Sequence, residues 1–178
     1  CAPGNAGTGA FAHNVPISAT NIQGLADWAA SNKIDLTIVG PERPLIEGIV
    51  DLFQRAGLRI FGPTAAAATI EGSKVWTKKM LTKYGIPTGS AEIITDFSQS
   101  QAILDRCSYP VAVKADGDAA GKGVVIARDR EEARLALKSF MVDHAVGRAG
   151  DRVLLEQYLE GTELSVLAFT DGKSVALM

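Results

Sequence analysis

Three glycines surround a lysine in the stretch Lys114-Ala115-Asp116-Gly117-Asp118-Ala119-Ala120-Gly121-Lys122-Gly123. Backbone amides that no Cβ shields can close around phosphate oxygens, so phosphate binding is the chemistry this stretch could perform. It is not a P-loop, which needs four residues between its glycines and then Lys-Ser/Thr opening a helix. Here three residues separate Gly117 from Gly121, Gly123 follows the lysine, and a β-type run, Val124-Val125-Ile126-Ala127, comes next. A surface hairpin with a solvated Lys122 accounts for the same residues.

Two further lysines stand where a cation is costly. Lys114 ends the Val-rich run Pro110–Asp116, and a lysine among alternating apolar positions must point out of the sheet or meet an anion. Lys74 falls in the first turn of a predicted helix, where the dipole disfavours positive charge unless an anion is near. Lys78, Lys79 and Lys83 read as the solvated face of that helix. Glu156-Gln157-Tyr158-Leu159-Glu160-Gly161-Thr162-Glu163 connects two β-type runs. Unpaired main-chain groups there could read the edge of a planar base, and Glu163 could accept hydrogen bonds from ribose hydroxyls. An acidic interstrand loop is the simpler reading of the same residues. Gly4, Gly7 and Gly9 run in the reverse order of the dinucleotide fingerprint and follow no strand. His13 and His144 have no patterned partner, so no catalytic triad or metal set can be built on them.

These residues need elements to hold them. Asn21 can cap a helix to about Asn32, and Ile34–Gly40 reads as a strand. Leu45–Phe53 reads as one amphipathic helix closed by Gly57, and Leu58–Phe61 as a strand stopped by Gly62-Pro63. Helix, strand, helix, strand is the cadence of a parallel doubly wound sheet. After alanine-rich turns from Thr64, a helix is predicted over Ser73–Tyr84, then a strand over Ala91–Thr95 and a helix over Gln99–Cys107. Strands follow at 110–116 and 124–127. A helix capped by Asp129, with Glu132 completing an Asp variant of the capping box, comes next. The remaining strands are Val153–Leu155, Leu164–Phe169 and Lys173–Met178, the last two joined by a tight Asp171-Gly172 turn. A boundary near Pro63 separates α/β from mixed α+β structure.

The chain has 178 residues, with 18 Lys+Arg against 20 Asp+Glu. Without a basic excess, duplex nucleic acid is not the expected partner, although a small anionic ligand needs only local charge. Two scattered cysteines, Cys1 and Cys107, make neither a disulfide framework nor a zinc site and point to a reducing, cytoplasmic setting. No run of about 18 apolar residues or basic-then-apolar leader appears, so no membrane partner is expected.

Taken in order, the motifs resemble the glycinamide ribonucleotide synthetase (phosphoribosylamine–glycine ligase) family of ATP-grasp enzymes in purine biosynthesis. The segments are Pro3-Gly4-Asn5-Ala6-Gly7-Thr8, Thr37-Ile38-Val39-Gly40-Pro41-Glu42 with Pro44-Leu45, Phe61-Gly62-Pro63-Thr64, Glu71-Gly72-Ser73-Lys74, and the glycine-rich stretch from Lys114 to Val124. The resemblance implies a partial doubly wound parallel, pre-ATP-grasp domain over 1–63, followed over 64–178 by the first, α+β part of an ATP-grasp domain. It implies that Lys74 and Lys114 reach ATP phosphates and that Gly117, Gly121 and Gly123 belong to a loop closing over them, with Lys122 assisting. Glu156, Gln157, Tyr158 and Leu159 would form the adenine hinge and Glu163 would take the ribose. Asn5, Gly7, Pro41 and Glu42 would face the substrate cleft.

The implied reaction joins glycine to 5-phosphoribosylamine through a glycyl phosphate, with ATP and Mg2+ or Mn2+ and no side-chain nucleophile. The parent is expected to be monomeric or fused to other purine-pathway domains. Alternatives are another ATP-grasp purine ligase or carboxylase, and a non-catalytic nucleotide-binding remnant. Three residues depart from the family pattern: Asp118 puts a carboxylate in the glycine-rich loop, Arg43 replaces a small residue, and Gln157 replaces a hinge acid. The chain begins at Cys1, without the family's opening strand and glycine-rich loop, and lacks after Met178 the Glu and Asn that hold the metal. It therefore reads as a fragment expected to be inactive alone.

Overall fold

In the computed structural model, the residues described are 1–117, 119 and 121–178. Asn21 opens helix α1 (Ile22–Ser31) by accepting the Gly24 amide on its side chain at 3.0 Å, which satisfies one of the amides a helix start leaves unpaired. Strand β1 (Thr37–Ile38), helices α2 (Glu42–Ile46) and α3 (Ile49–Arg55), and strand β2 (Ile60–Phe61) follow. β1 and β2 pair in parallel, Thr37 opposite Ile60. Ala26 and Ala29 of α1 bury against Ile49, Val50 and Phe53 of α3 to make the core here.

Three expectations change in this region. The strand anticipated over Ile34–Gly40 ladders at only two residues, because among the described residues β1 has a neighbour on one side alone. The single helix expected over Leu45–Phe53 is two, because Gly48 adopts φ +87° and breaks the helical run. The alanine-rich stretch after Thr64 is not a set of turns but helix α4 (Ala65–Gly72), capped by the Thr64 hydroxyl oxygen. Alanine has the highest helix propensity, and a good cap suffices to start the run.

Helix α5 (Lys74–Lys83) leads into β3 (Ala91–Ile94), a 3-10 turn over Phe97–Gln99 and α6 (Ser100–Leu104), then β4 (Val111–Ala115), β5 (Val124–Ala127), α7 (Arg130–Met141) and β6 (Val153–Gln157). The helix expected over Gln99–Cys107 is thus shorter and begins as 3-10 structure. The four strands form one antiparallel sheet in the order β3-β6-β4-β5. At α7, Asp129 Oδ1 accepts the Glu132 amide at 2.9 Å, as that spacing predicts, while Glu132 Oε2 accepts the amide of Arg128, the residue before the cap, at 2.8 Å. Leu137 and Phe140 of α7 pack with Leu104 of α6 onto Val111, Val113, Ala115, Val153 and Leu155. Side chains alternate along a strand, so the intervening residues of β4 and β6 fall on the opposite face.

The chain ends in a hairpin of β7 (Ala168–Thr170) and β8 (Val175–Leu177). The strand expected from Leu164 starts only at Ala168, which pairs with Leu177; residues before it have no strand partner among those described. The turn spans residues 171–174 rather than two residues, because Asp171 Oδ1 accepts both the Lys173 and Ser174 amides, at 2.9 and 2.7 Å. The hairpin leans on the first portion of the chain through an edge-on contact of Phe169 with Phe61, ring centroids 5.8 Å apart. A parallel α/β portion followed by an antiparallel α+β portion is the architecture expected. Among the described residues no helix is long and apolar enough to cross a membrane.

Candidate functional site

Register builds the site. Lys114 on β4 lies opposite Leu154 of β6 and Val124 of β5, while Ala112 lies opposite Glu156. Lys114 and Glu156 are therefore diagonal neighbours on the sheet face away from α6 and α7, near enough for long side chains to meet. They form an ion pair through Glu156 Oε2, and Lys78 of α5 pairs with Oε1 of the same carboxylate. Lys78 also donates to the Thr88 hydroxyl at 2.5 Å and the Gly89 carbonyl at 2.8 Å. Side-chain exposure is 11% for Lys78, 13% for Glu156 and 31% for Lys114.

Reading Lys78 as part of a solvated face is thus incorrect, although Lys79 and Lys83 are exposed as expected. The signal was available in helical geometry. At about 100° per residue, Lys78 lies about 40° around the helix from Lys74, whereas Lys79 and Lys83 lie about 140° and about 180° away. Lys74, Thr77, Lys78 and Leu81 line one cavity of about 400 Å³ with Lys114, Val124, Leu154 and Glu156. The two lysines singled out as anion contacts, remote in sequence, meet here.

Lys74 is held at the helix start by a node that sequence reasoning missed. Asp116, just beyond β4, is buried beneath the N-terminus of α5. Its Oδ1 accepts the Ser73 hydroxyl at 2.9 Å and the Val75 amide at 3.1 Å, and Arg152 Nη2 pairs with Oδ2 at 2.6 Å. Its carboxylate also meets the positive end of the helix dipole. Lys74 Nζ donates to the Gly117 carbonyl at 3.0 Å, so the helix and the root of the glycine-rich loop are fastened together.

That loop connects β4 to β5, closed by the Ala115 amide on the Gly123 carbonyl at 2.8 Å. Gly121 adopts φ +78°, and a Cβ on the buried Gly123 would stand 2.6 Å from the Ala119 Cβ, so both positions require glycine. Asp118 and Ala120 lie outside the described residues, and the expectation of a carboxylate beside phosphate rests on one of them. Gly117, Ala119 and Gly121 line a second cavity, of about 280 Å³, with Glu42, Ile46, Glu71 and Lys74. Glu71 and Lys74 border both cavities. Lys122 is exposed and lines neither.

The remaining candidates are dispersed. Glu156 faces the first cavity, but Gln157 and Tyr158 line a groove of about 690 Å³ with Leu155 and Val111. The chain leaves β6 at Gln157 and runs to β7 without regular structure, carrying the exposed Leu159 and Glu163. Glu42 joins the loop and Lys74. Pro41 lines an apolar cavity under α1, and Asn5 and Gly7 border a separate shallow depression. Asn5 Oδ1 accepts the Thr8 amide at 3.0 Å, shaping its own turn. Among the described residues no three His, Cys, Asp or Glu side chains gather as a metal site.

Burial pushes the Glu156 carboxyl up, but hydrogen bonds and charge from Lys114 and Lys78 outweigh it and hold the group below its ordinary value of 4.5. A carboxylate depressed in the folded state stabilises it above the unfolded-state pKa, and that stabilisation is lost as pH falls through the folded value. Unfolding free energy, followed by urea titration, is expected to drop below about pH 4.5, and less steeply in Glu156→Gln.

Two family models cover the whole chain: the N domain of phosphoribosylglycinamide synthetase matches residues 1–71 and its ATP-grasp (A) domain residues 72–178. The phosphoribosylamine–glycine ligase of Caldanaerobacter subterraneus subsp. tengcongensis is 50% identical over 178 residues, covering 100% of this chain and 43% of its own length. That of Escherichia coli K12 is 48% identical, over 99% of this chain and 42% of its own. The chain thus spans under half the length of these relatives. Among solved structures, the Thermotoga maritima phosphoribosylamine–glycine ligase superposes with a TM-score of 0.77 at 27% identity, over 98% of this chain and 41% of that one. The biotin carboxylase domain of Hydrogenobacter thermophilus 2-oxoglutarate carboxylase, solved with MgADP, ADP and bicarbonate, gives 0.63 at 26% identity over 79% of this chain and 32% of that one.

Proposed function

The chain belongs to the phosphoribosylglycinamide synthetase family, and from that premise we propose that it supplies the phosphate-binding side of an ATP-dependent ligase joining glycine to 5-phosphoribosylamine. In this reading a glycine carboxylate oxygen attacks the γ-phosphorus of ATP, releasing ADP and leaving glycyl phosphate. The amine of 5-phosphoribosylamine then attacks the acyl carbon, phosphate departs, and the nitrogen loses a proton to give glycinamide ribonucleotide. No side chain acts as nucleophile. Catalysis comes from positioning and from neutralising charge on the transferring group.

The observation that carries the reading is the convergence of Lys74 and Lys114 on one cavity, with Lys74 also lining a second cavity beside the glycine-rich loop and bonded to its root at Gly117. Lys74 and Lys114 are assigned to the phosphates, and Gly117, Gly121 and Gly123 to the covering loop, with Lys122 reaching in on closure. Glu156 to Leu159 are assigned to the adenine side, Glu163 to the ribose, and Asn5, Gly7, Pro41 and Glu42 to the substrate side. The division near Pro63 and a cytoplasmic setting belong to the same proposal. The described residues offer no ligand cluster for Mg2+ or Mn2+, so no step is assigned through the metal.

The test is calorimetric titration of ATP into the protein made from the complete reading frame that encodes this chain, beside Lys114→Ala. A charge-assisted contact is worth about 1.5–3 kcal/mol, so the variant should bind about tenfold to a hundredfold more weakly. ADP formation should require both glycine and 5-phosphoribosylamine. ATP binding without that dependence would favour a nucleotide-binding module, and turnover with another substrate pair a different ATP-grasp enzyme.

A further inference from the structure

Two ammonium groups share one carboxylate, so the cluster of Lys78, Glu156 and Lys114 carries one surplus positive charge. The two lysines are not equivalent. An ammonium has three N–H donors, and those of Lys78 have three acceptors: Thr88 Oγ1, the Gly89 carbonyl and Glu156 Oε1. These contacts pin Lys78 between α5, the segment entering β3, and β6. Lys114 is the more exposed of the two, and its partner among the described residues is Glu156 Oε2 alone.

A lone Lys114–Glu156 pair would be neutral and would attract a phosphate weakly. With Lys78 taking up one carboxylate oxygen, the net charge at the mouth of the cavity is restored. We propose that Lys78 is a positioning residue: by holding Glu156 from behind it keeps the positive charge of Lys114 available to a phosphate group, without touching that phosphate itself. This rests on the reading that nucleotide phosphate enters the cavity of Lys74 and Lys114. Glu71 and Lys74 also line that cavity, but neither bonds to this carboxylate. The depressed titration of Glu156 under both lysines fits the same arrangement.

Charge accounting makes the idea testable in the protein from the complete reading frame. Lys78→Met leaves Lys114 and Glu156 neutral together, and ATP affinity should fall about tenfold, while the affinity for adenosine, which has no phosphate, stays unchanged. Adding Glu156→Gln removes the opposing charge. Because Glu156 is also assigned to the adenine side, the readout is the ratio of ATP to adenosine affinity, which in K78M/E156Q should return to within about threefold of the wild-type ratio. Lys78→Gln, neutral but still able to donate to Thr88 and Gly89, serves beside Met should the latter fold poorly, and should lose the same affinity. Circular dichroism melting monitors the fold of each variant.

A structural role alone predicts different outcomes. ATP and adenosine would weaken equally, or the double variant would keep the lowered ATP-to-adenosine ratio of Lys78→Met, and either result overturns the inference while leaving the phosphate site standing. If the wild-type protein binds adenosine but gains nothing from the triphosphate, or binds neither, the phosphate site itself fails and the inference with it.

Discussion

Replacing Asp116 by alanine is expected to lower the unfolding free energy by about 3 kcal/mol, because buried donors lose their acceptor and a buried ion pair is broken. The carboxylate is the acceptor for the Ser73 hydroxyl and the Val75 amide and the partner of Arg152, with its side chain only 3% exposed. Removing it leaves the Val75 amide buried at a helix start with nothing to replace the bond. Arg152 is half exposed and can turn to water, so the cost sits mainly at the helix. Urea unfolding at constant m-value measures the loss. The same change should loosen Lys74 and Gly117, which the node holds together, and so weaken ATP as well. Asp116→Asn keeps one acceptor oxygen and should lose clearly less stability than alanine; equal losses would mean that the hydrogen bonds are not what holds this joint.

Gly150→Ala is expected to cost about as much, by a different route. Gly150 is buried where the chain turns back from α7 toward β6, and a Cβ there would run into the carbonyl of Phe140, whose ring is part of the core. The obstacle is backbone, which cannot swing aside, so α7 must shift on the sheet. Overpacking of that kind costs about 1–3 kcal/mol and occasionally more. Gly57→Ala is the control. Gly57 adopts φ +70° with nothing within 4 Å of its Cβ position, so only left-handed strain is added, about 1 kcal/mol. Thermal melting of the two variants separates contact from conformation: a Gly150 variant no less stable than the Gly57 variant would mean that the helix gives way freely.

Both effects lie outside local pattern, and so does much of the site. Gly150 carries no mark in sequence, being neither in a turn signature nor at positive φ. Asp116 sits inside a motif singled out for its glycines and lysines, and its work is done on a helix start that precedes it by more than forty residues. Where a rule is local, the reading held. The caps at Asn21 and Asp129 join residues three apart, and β5 runs over the residues expected of it. Where a longer element depended on partners, the reading overran: β1 and β7 stop where their neighbours stop, and Gly48 divides a helix whose apolar spacing continues past it.

Apart from α4 and the division of α2 from α3, the amino-acid sequence by itself determined the order of elements, the glycine-rich loop and the lysines that could meet an anion, because caps, turn glycines and apolar periods act within a few residues. It did not determine which charges meet. Lys78 and Glu156 are 78 positions apart, and their pairing depends on the register of β4 against β6 and on how α5 docks over that face. One residue of slip in β6 would turn Glu156 toward the core. Tertiary structure alone therefore decided that Lys78 pairs with Glu156 and that Lys114 retains an open side. It also separated Gln157 from Glu156, because adjacent residues of a strand face opposite sides of its sheet, and put Tyr158 beyond the end of β6 in the same groove as Gln157.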